Sequence, residues 1–303
     1  MAFTAADVKY LREITGVGMM DCKKALASAD GDMDKAVEWL REKGLAAAEK
    51  KAGRIAAEGM AYAAVIDGVG VVVEVNAESD FVAKNEKFVS YVKGVAQVVA
   101  KDNPADLDAL YACKYPDSDM TVQEMQNDRV LVIGENIKVR RFVRYADGFS
   151  VPYIHAGGKI GVLVNLEVEG GIDATEIGKD IAMQIAALNP RYWDKSQVTQ
   201  DVLDEEKKIM MAQMANDPKM AGKPEQVREK IVMGKLNKFY GENCLLQQEF
   251  VKDGSMTVEK YMASAAKALG GKVTFKAATR FEKGEGLEKR QDNLAEEVAS
   301  MIK

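Results

Sequence analysis

The side chains best suited to chemistry are few and scattered. His155 is the only histidine, so a catalytic triad or an imidazole-bound metal has to centre on it, yet no cysteine or paired carboxylate stands near it in the chain. An isolated histidine usually has no catalytic role. Cys22, Cys113 and Cys244 are odd in number, far apart and without a C-x-x-C spacing. They therefore frame neither a disulfide set nor a zinc knuckle, and they fit a reducing compartment. Gly16-Val17-Gly18 and Gly157-Gly158-Lys159-Ile160-Gly161 resemble phosphate cradles in composition, but the first follows a helical pattern and the second precedes a strand. That is the wrong context for nucleotide fingerprints, and no G-x-x-x-x-G-K-[ST] run is present. The inventory points away from a resident metal, cofactor or nucleotide and away from an enzyme. An enzyme built on Cys22 or His155 stays open as an alternative.

One further stretch combines reactive types. Asn76-Ala77-Glu78-Ser79-Asp80-Phe81-Val82-Ala83-Lys84-Asn85 sets a phenylalanine beside an acid where a dense apolar strand gives way to a helical pattern. Local rules read it as a helix start, with Ser79 as cap, Asp80 at the positive end of the dipole and Phe81 packed inward.

Composition bounds what can hold these residues in place. With 303 residues, 47% hydrophobic and 29% charged, the chain can build two or three modest cores rather than one compact unit. A net charge of -5 disfavours direct nucleic-acid binding, which needs clustered positive charge. The first residues enter a helical pattern without signal-peptide zones, and no apolar run approaches the roughly 20 residues needed to cross a bilayer. A cytoplasmic, membrane-free protein is expected.

The periodicities give an α+β multidomain chain. Thr4 caps a helix with Val8, Leu11 and Ile14 on one face, and Thr15-Gly16-Val17-Gly18 breaks it. A second helix runs from Met20 to Ala29, and Asp30-Gly31-Asp32 leads to a third with Ala36, Val37 and Leu40, stopped at Gly44. Residues 1–44 form a three-helix module and 45–59 a helical linker. The period then becomes two at Met60, Tyr62, Ala64 and Ile66, with Asp67-Gly68 as a hairpin turn and Val71–Val75 as the next strand. Phe88, Val92, Val95 and Val99 make a helical stripe ending at Asn103-Pro104, Thr121 and Glu124 form a capping box, and Ile137, Val139, Arg141 and Val143 alternate as a strand. Residues 60–150 are one α/β subdomain.

A second version of that plan follows: strand Lys159–Val164, turn Gly170-Gly171, and a stripe Ile177, Ile181, Ile185, Leu188 that also stops at an Asn-Pro pair. It occupies 151–195 and resumes at 241–282, around an antiparallel helical hairpin at 196–240 that breaks near Asp217-Pro218 to Pro224. Met210, Met211, Met214 and Met220 suit either the hairpin seam or an adaptable contact surface. A strand through Val273 and Phe275 and a closing helical module at 283–303 finish the chain.

Several separated segments resemble the bacterial elongation factor Ts family: Val8 to Leu26, Ser79-Asp80-Phe81-Val82-Ala83-Lys84-Asn85 (with Ser79 where the family usually has threonine), His155 to Val164, Gly222 to Glu225, and Arg280 to Lys289. They occur in family order along the whole chain. The resemblance implies a guanine-nucleotide exchange factor without covalent chemistry, whose partner is elongation factor Tu and which needs no cofactor. It implies a ubiquitin-associated-like N-terminal module, with Leu11, Met19 and Met20 docking on the GTPase domain of Tu together with the C-terminal helix from Leu287 to Ile302. Ser79, Asp80, Phe81, Val82 and Ala83 would enter beside the nucleotide site and dislocate its Mg²⁺. His155, Gly157 and Gly158 would meet another Tu domain, and the hairpin is a candidate homodimer contact. A binding adaptor built on the N-terminal module alone is the competing class.

Overall fold

In the computed structural model, residues 3–217 and 224–289 are described. The chain forms two units, one of residues 1–146, 154–162 and 281–303, the other of residues 147–153 and 163–280.

The first unit opens with three helices. α1 (Ala5–Thr15) begins at a capping box in which Thr4 N–H donates to Asp7 Oδ2 at 2.7 Å and Asp7 N–H to Thr4 Oγ1 at 3.3 Å. It ends at Gly16, whose φ of +69° suits glycine. α2 (Met19–Ser28) and α3 (Met33–Lys51) complete a small core of Val8, Leu11, Cys22, Leu26, Ala36 and Leu40. The expected stripe shortens here: Ile14, in the last turn of α1, is 51% exposed.

The third helix does not stop at Gly44. It runs seven residues further to Lys51, and Gly44 is buried where a Cβ would stand 3.3 Å from the Asn127 carbonyl oxygen. This glycine seats a neighbouring helix instead of ending its own. Much of the expected linker is therefore helix continuous with α3, and the first strand already begins at Glu58.

β1 (Glu58–Ile66) and β2 (Val69–Ala77) form an antiparallel hairpin closed by Asp67 and Gly68, whose φ values of +50° and +81° match a tight primed turn. α4 (Glu86–Asp102) lays Phe88, Val92, Val95 and Val99 on the sheet together with Val71, Val73 and Val75. Asn103 ends it in the left-handed region. α5 (Leu107–Ala112), too short for a periodic signature, precedes α6 (Val122–Ile133), whose Thr121/Glu124 capping box forms as expected. β3 (Lys138–Tyr145) then pairs with β2, giving the order β1-β2-β3.

A register shift between Glu74 and Val75 leaves Arg140 as the extra residue between the pairs Glu74↔Arg141 and Val75↔Val139. Both arginines consequently reach the fully buried Glu74, at 3.0 Å from Arg140 and 2.6 Å from Arg141. The same carboxylate accepts the Gly284 N–H at 2.8 Å, which ties the segment after residue 281 to this sheet.

β4 (Phe149–His155), β5 (Ile160–Glu169) and a later strand, most of whose residues belong to the second unit, form a sheet with the same hairpin-first plan. α7 (Thr175–Leu188) buries Ile177, Ile181 and Ile185 and ends, like α4, at a left-handed Asn189 before proline. Leu188 is 48% exposed and drops out of the expected stripe. α8 (Gln200–Ala215) packs on α9 (Glu225–Asn243) through Met210, Met214, Val232, Leu236 and Phe239. The seam reading thus fits Met210 and Met214; Met211 is 39% exposed, and Met220 lies outside the described residues. A small ribbon of β6 (Glu249–Phe250) and β7 (Asp253–Thr257), α10 (Val258–Ala268) and β8 (Lys272–Glu282) complete the unit, with sheet order β4-β5-β8. Among the described residues no helix is long and apolar enough to cross a membrane.

Candidate functional site

Leaving β2 at Ala77, the chain must reverse into α4 within a few residues, and the devices that hold this reversal come from the far end of α6. Gly134, at φ +89°, ends α6 and turns Glu135 and Asn136 toward the loop. Glu135 Oε2 accepts the N–H groups of Glu78 at 3.0 Å and Ser79 at 2.9 Å, while Oε1 accepts the Ser79 hydroxyl at 2.5 Å. In return Glu78 Oε1 accepts the Asn136 N–H at 2.6 Å, and the Asn136 side chain donates to the Arg54 carbonyl at 2.9 Å. Two carboxylates are crossed over three backbone donors, so this turn is held by charge-assisted bonds.

The side chains ahead of that brace sort sharply. Val82 is 4% exposed and starts a single 3-10 turn, Val82–Lys84, whereas Phe81 is 81% exposed. Asp80 is exposed and Ala83 half-buried. Asn85, not Ser79, caps α4, accepting the N–H of Lys87 at 2.9 Å and of Phe88 at 3.3 Å. The local reading of a helix start with an inward Phe81 is therefore overturned: the helix begins later, Ser79 spends its hydroxyl on Glu135, and the ring faces outward. Asp80 and Phe81 line a cleft of about 560 Å³ with Ile55, Glu58, Lys159 and Lys283.

The other expected contact residues are placed unevenly. Met19 and Met20 are 50% and 65% exposed at the start of α2, and Tyr10 and Ile14 on α1 add apolar surface that periodicity had assigned to the core or passed over. Leu11 is fully buried under them, so it supports the module and offers no surface. Leu287 is 37% exposed, and Ile302 lies outside the described residues. His155 and Gly157 are exposed, but Gly158 is buried at φ +101°, where a Cβ would stand 2.5 Å from Met60 Cγ. That glycine is needed for packing on β1.

The Cys22 alternative finds no support in this geometry. Burial pushes the Cys22 thiol up and that of Cys244 up to about 11, the opposite of an activated thiolate. Among the described residues no group of three or more His, Cys, Asp or Glu side chains could hold a metal ion.

A family description, "Elongation factor TS", matches residues 78–285, a span that contains the braced turn. Full-length relatives agree. Elongation factor Ts of Syntrophotalea carbinolica is 50% identical over 100% of both chains. That of Trichlorobacter lovleyi is 49% identical over 99% of this chain and 98% of its own. That of Clostridium perfringens is 48% identical over 98% of each. The chain belongs to the elongation factor Ts family. Membership makes it a translation elongation factor of the nucleotide-exchange type, acting by binding rather than by bond-making. Its surface is therefore to be read as a set of protein contacts, and among the described residues of the Ts match Phe81, on the braced turn, is the most exposed large apolar side chain.

Proposed function

We propose that this chain binds GDP-bound elongation factor Tu in the cytoplasm and releases the nucleotide by inserting Phe81 beside the Mg²⁺-diphosphate site. The carrying observation is a phenylalanine 81% exposed at the tip of a turn tied down on both sides. An exposed ring on a slack loop would collapse or rotate away from a partner; a braced one delivers its contact at low ordering cost. Mg²⁺ demands near-octahedral geometry, so a small displacement of the helices around it loosens the diphosphate. Asp80 holds the inserted turn against the displaced helix.

One ring cannot supply the whole effect. Burying a phenylalanine contributes about 1.5–3 kcal/mol, whereas a ten-thousand-fold shift of a two-state equilibrium needs roughly 5.5 kcal/mol of differential binding. The rest comes from distributed docking: Met19 and Met20 of a ubiquitin-associated-like module and Leu287 near the C-terminal module on the GTPase domain, with His155 and Gly157 on another Tu domain. The two sheets, each with its hairpin first, support the reading of two related subdomains that carry these surfaces. Linkage makes the effect reciprocal, so GDP weakens the factor's grip on Tu by the factor to which the factor weakens GDP.

Release of a fluorescent GDP analogue from Tu tests this reading. Wild-type chain should accelerate release strongly, and Phe81→Ala should lose most of the acceleration while remaining folded.

A further inference from the structure

We propose that Glu135 and Asn136 are positioning residues for exchange, aiming Phe81 and connecting it to the α1–α3 module. The inference rests on the reading of Phe81 as the inserting residue. Where β2 ends, the N–H groups of Glu78 and Ser79 leave the sheet ladder, and a single carboxylate, Glu135, takes both along with the Ser79 hydroxyl. Without it these donors turn to water, and the turn keeps only the Glu78–Asn136 bond and the buried Val82 as anchors.

The same two residues face the docking module. α6 lies against α3, with Gly44 beside Asn127 and Lys51 Nζ donating to the Val130 carbonyl at 3.4 Å. Asn136 then holds the Arg54 carbonyl in the segment that leaves α3, and Arg54 stands 3.4 Å from Glu78. A module seated on the partner through Met19 and Met20 is thereby wired to the turn through Glu135 and Asn136, and not through residues 52–57 alone. Binding energy gained at the module reaches the ring because this path is stiff.

Glu135 makes a sharp test because its chemistry separates two variants. In Glu135→Gln the amide oxygen can keep both backbone N–H groups while the new NH₂ donates to Ser79 Oγ, whose hydroxyl changes from donor to acceptor. Glu135→Ala removes every bond. Rates of fluorescent-GDP release from Tu are measured against factor concentration for wild type, Glu135→Ala, Glu135→Gln, Ser79→Ala and Phe81→Ala, with thermal unfolding of each.

Misplacing a reacting contact by about 1 Å costs on the order of a hundredfold, and partial loss of aim should cost less. The expected result is that Glu135→Ala lowers the saturating rate about tenfold, changes the half-saturating concentration less than about twofold, and is rescued to within about threefold by Glu135→Gln. Should Glu135→Ala fail to fold, Ser79→Ala carries the test, with an expected loss of about threefold at saturation. A normal saturating rate in Glu135→Ala, or an equal loss in Ala and Gln, alongside a slow Phe81→Ala overturns the brace alone. Wild-type rates in both Phe81→Ala and Glu135→Ala overturn the reading of Phe81 and the brace with it.

Discussion

Phe81 and Val82 are neighbours in the chain with opposite fates: the ring is 81% exposed and the valine 4% exposed. The valine roots the turn in the core under α4, and the phenylalanine is left to a partner. Val82→Ala should therefore cost about 1–2 kcal/mol of stability, whereas Phe81→Ala should change it by less than about 0.5 kcal/mol. Urea unfolding of both variants checks the contrast.

Glu74 supports the sheet beneath that turn. Its fully buried carboxylate is shared by Arg140, Arg141, the Asn76 amide at 3.1 Å and the Gly284 N–H. The two arginines are 25% and 32% exposed, so they partly rehydrate once the partner is gone. Glu74→Ala should destabilise the chain by about 3 kcal/mol, near the lower end for a broken buried pair. A loss below about 1 kcal/mol in urea titration would remove the cluster from the structural account.

Gly44 offers a test of how α3 meets α6. An alanine there gains about 1 kcal/mol of helix propensity but brings its Cβ to 3.3 Å from the Asn127 carbonyl oxygen, so the two effects nearly cancel. Gly44→Leu cannot be absorbed and should cost more than about 2 kcal/mol. Denaturation midpoints of the two variants distinguish a helix seat from a helix stop.

Alkaline pH should loosen the first unit from its core. Burial pushes the phenols of Tyr91, Tyr111 and Tyr115 upward, that of Tyr111 to about 12. A raised folded-state value means the contribution is intact below the unfolded phenol's value of about 10 and is lost as pH climbs through the folded values. Ellipticity at 222 nm should fall together with the rise of tyrosinate absorbance between pH about 10 and 12. Ionisation of all ten tyrosines without loss of ellipticity would contradict this packing.

Local chemistry is what the chain announces most clearly. The cap at Thr4, the capping box at Thr121, the Asp67-Gly68 turn and the asparagines before Pro104 and Pro190 are legible because each rests on groups within a few residues. Ser79 misleads for the same reason: a local rule offers it a helix to cap, while its true partner, Glu135, lies 56 residues away. Gly44 is similar, since stop and seat look alike until α6 is placed against it. α5, β6 and β7 are too short for any period to register. The outward ring of Phe81 is legible only through resemblance, because hydrophobicity alone argues for burial. Leu11 and Gly158 show the converse error, in which a family landmark is mistaken for a contact although the residue sits beneath the surface.

The most direct test of the account is the rate of fluorescent-GDP release from Tu at saturating factor, wild type against Phe81→Ala. The account predicts strong acceleration by wild type and loss of most of it, on the order of tenfold or more, in the folded variant. Equal rates would contradict it.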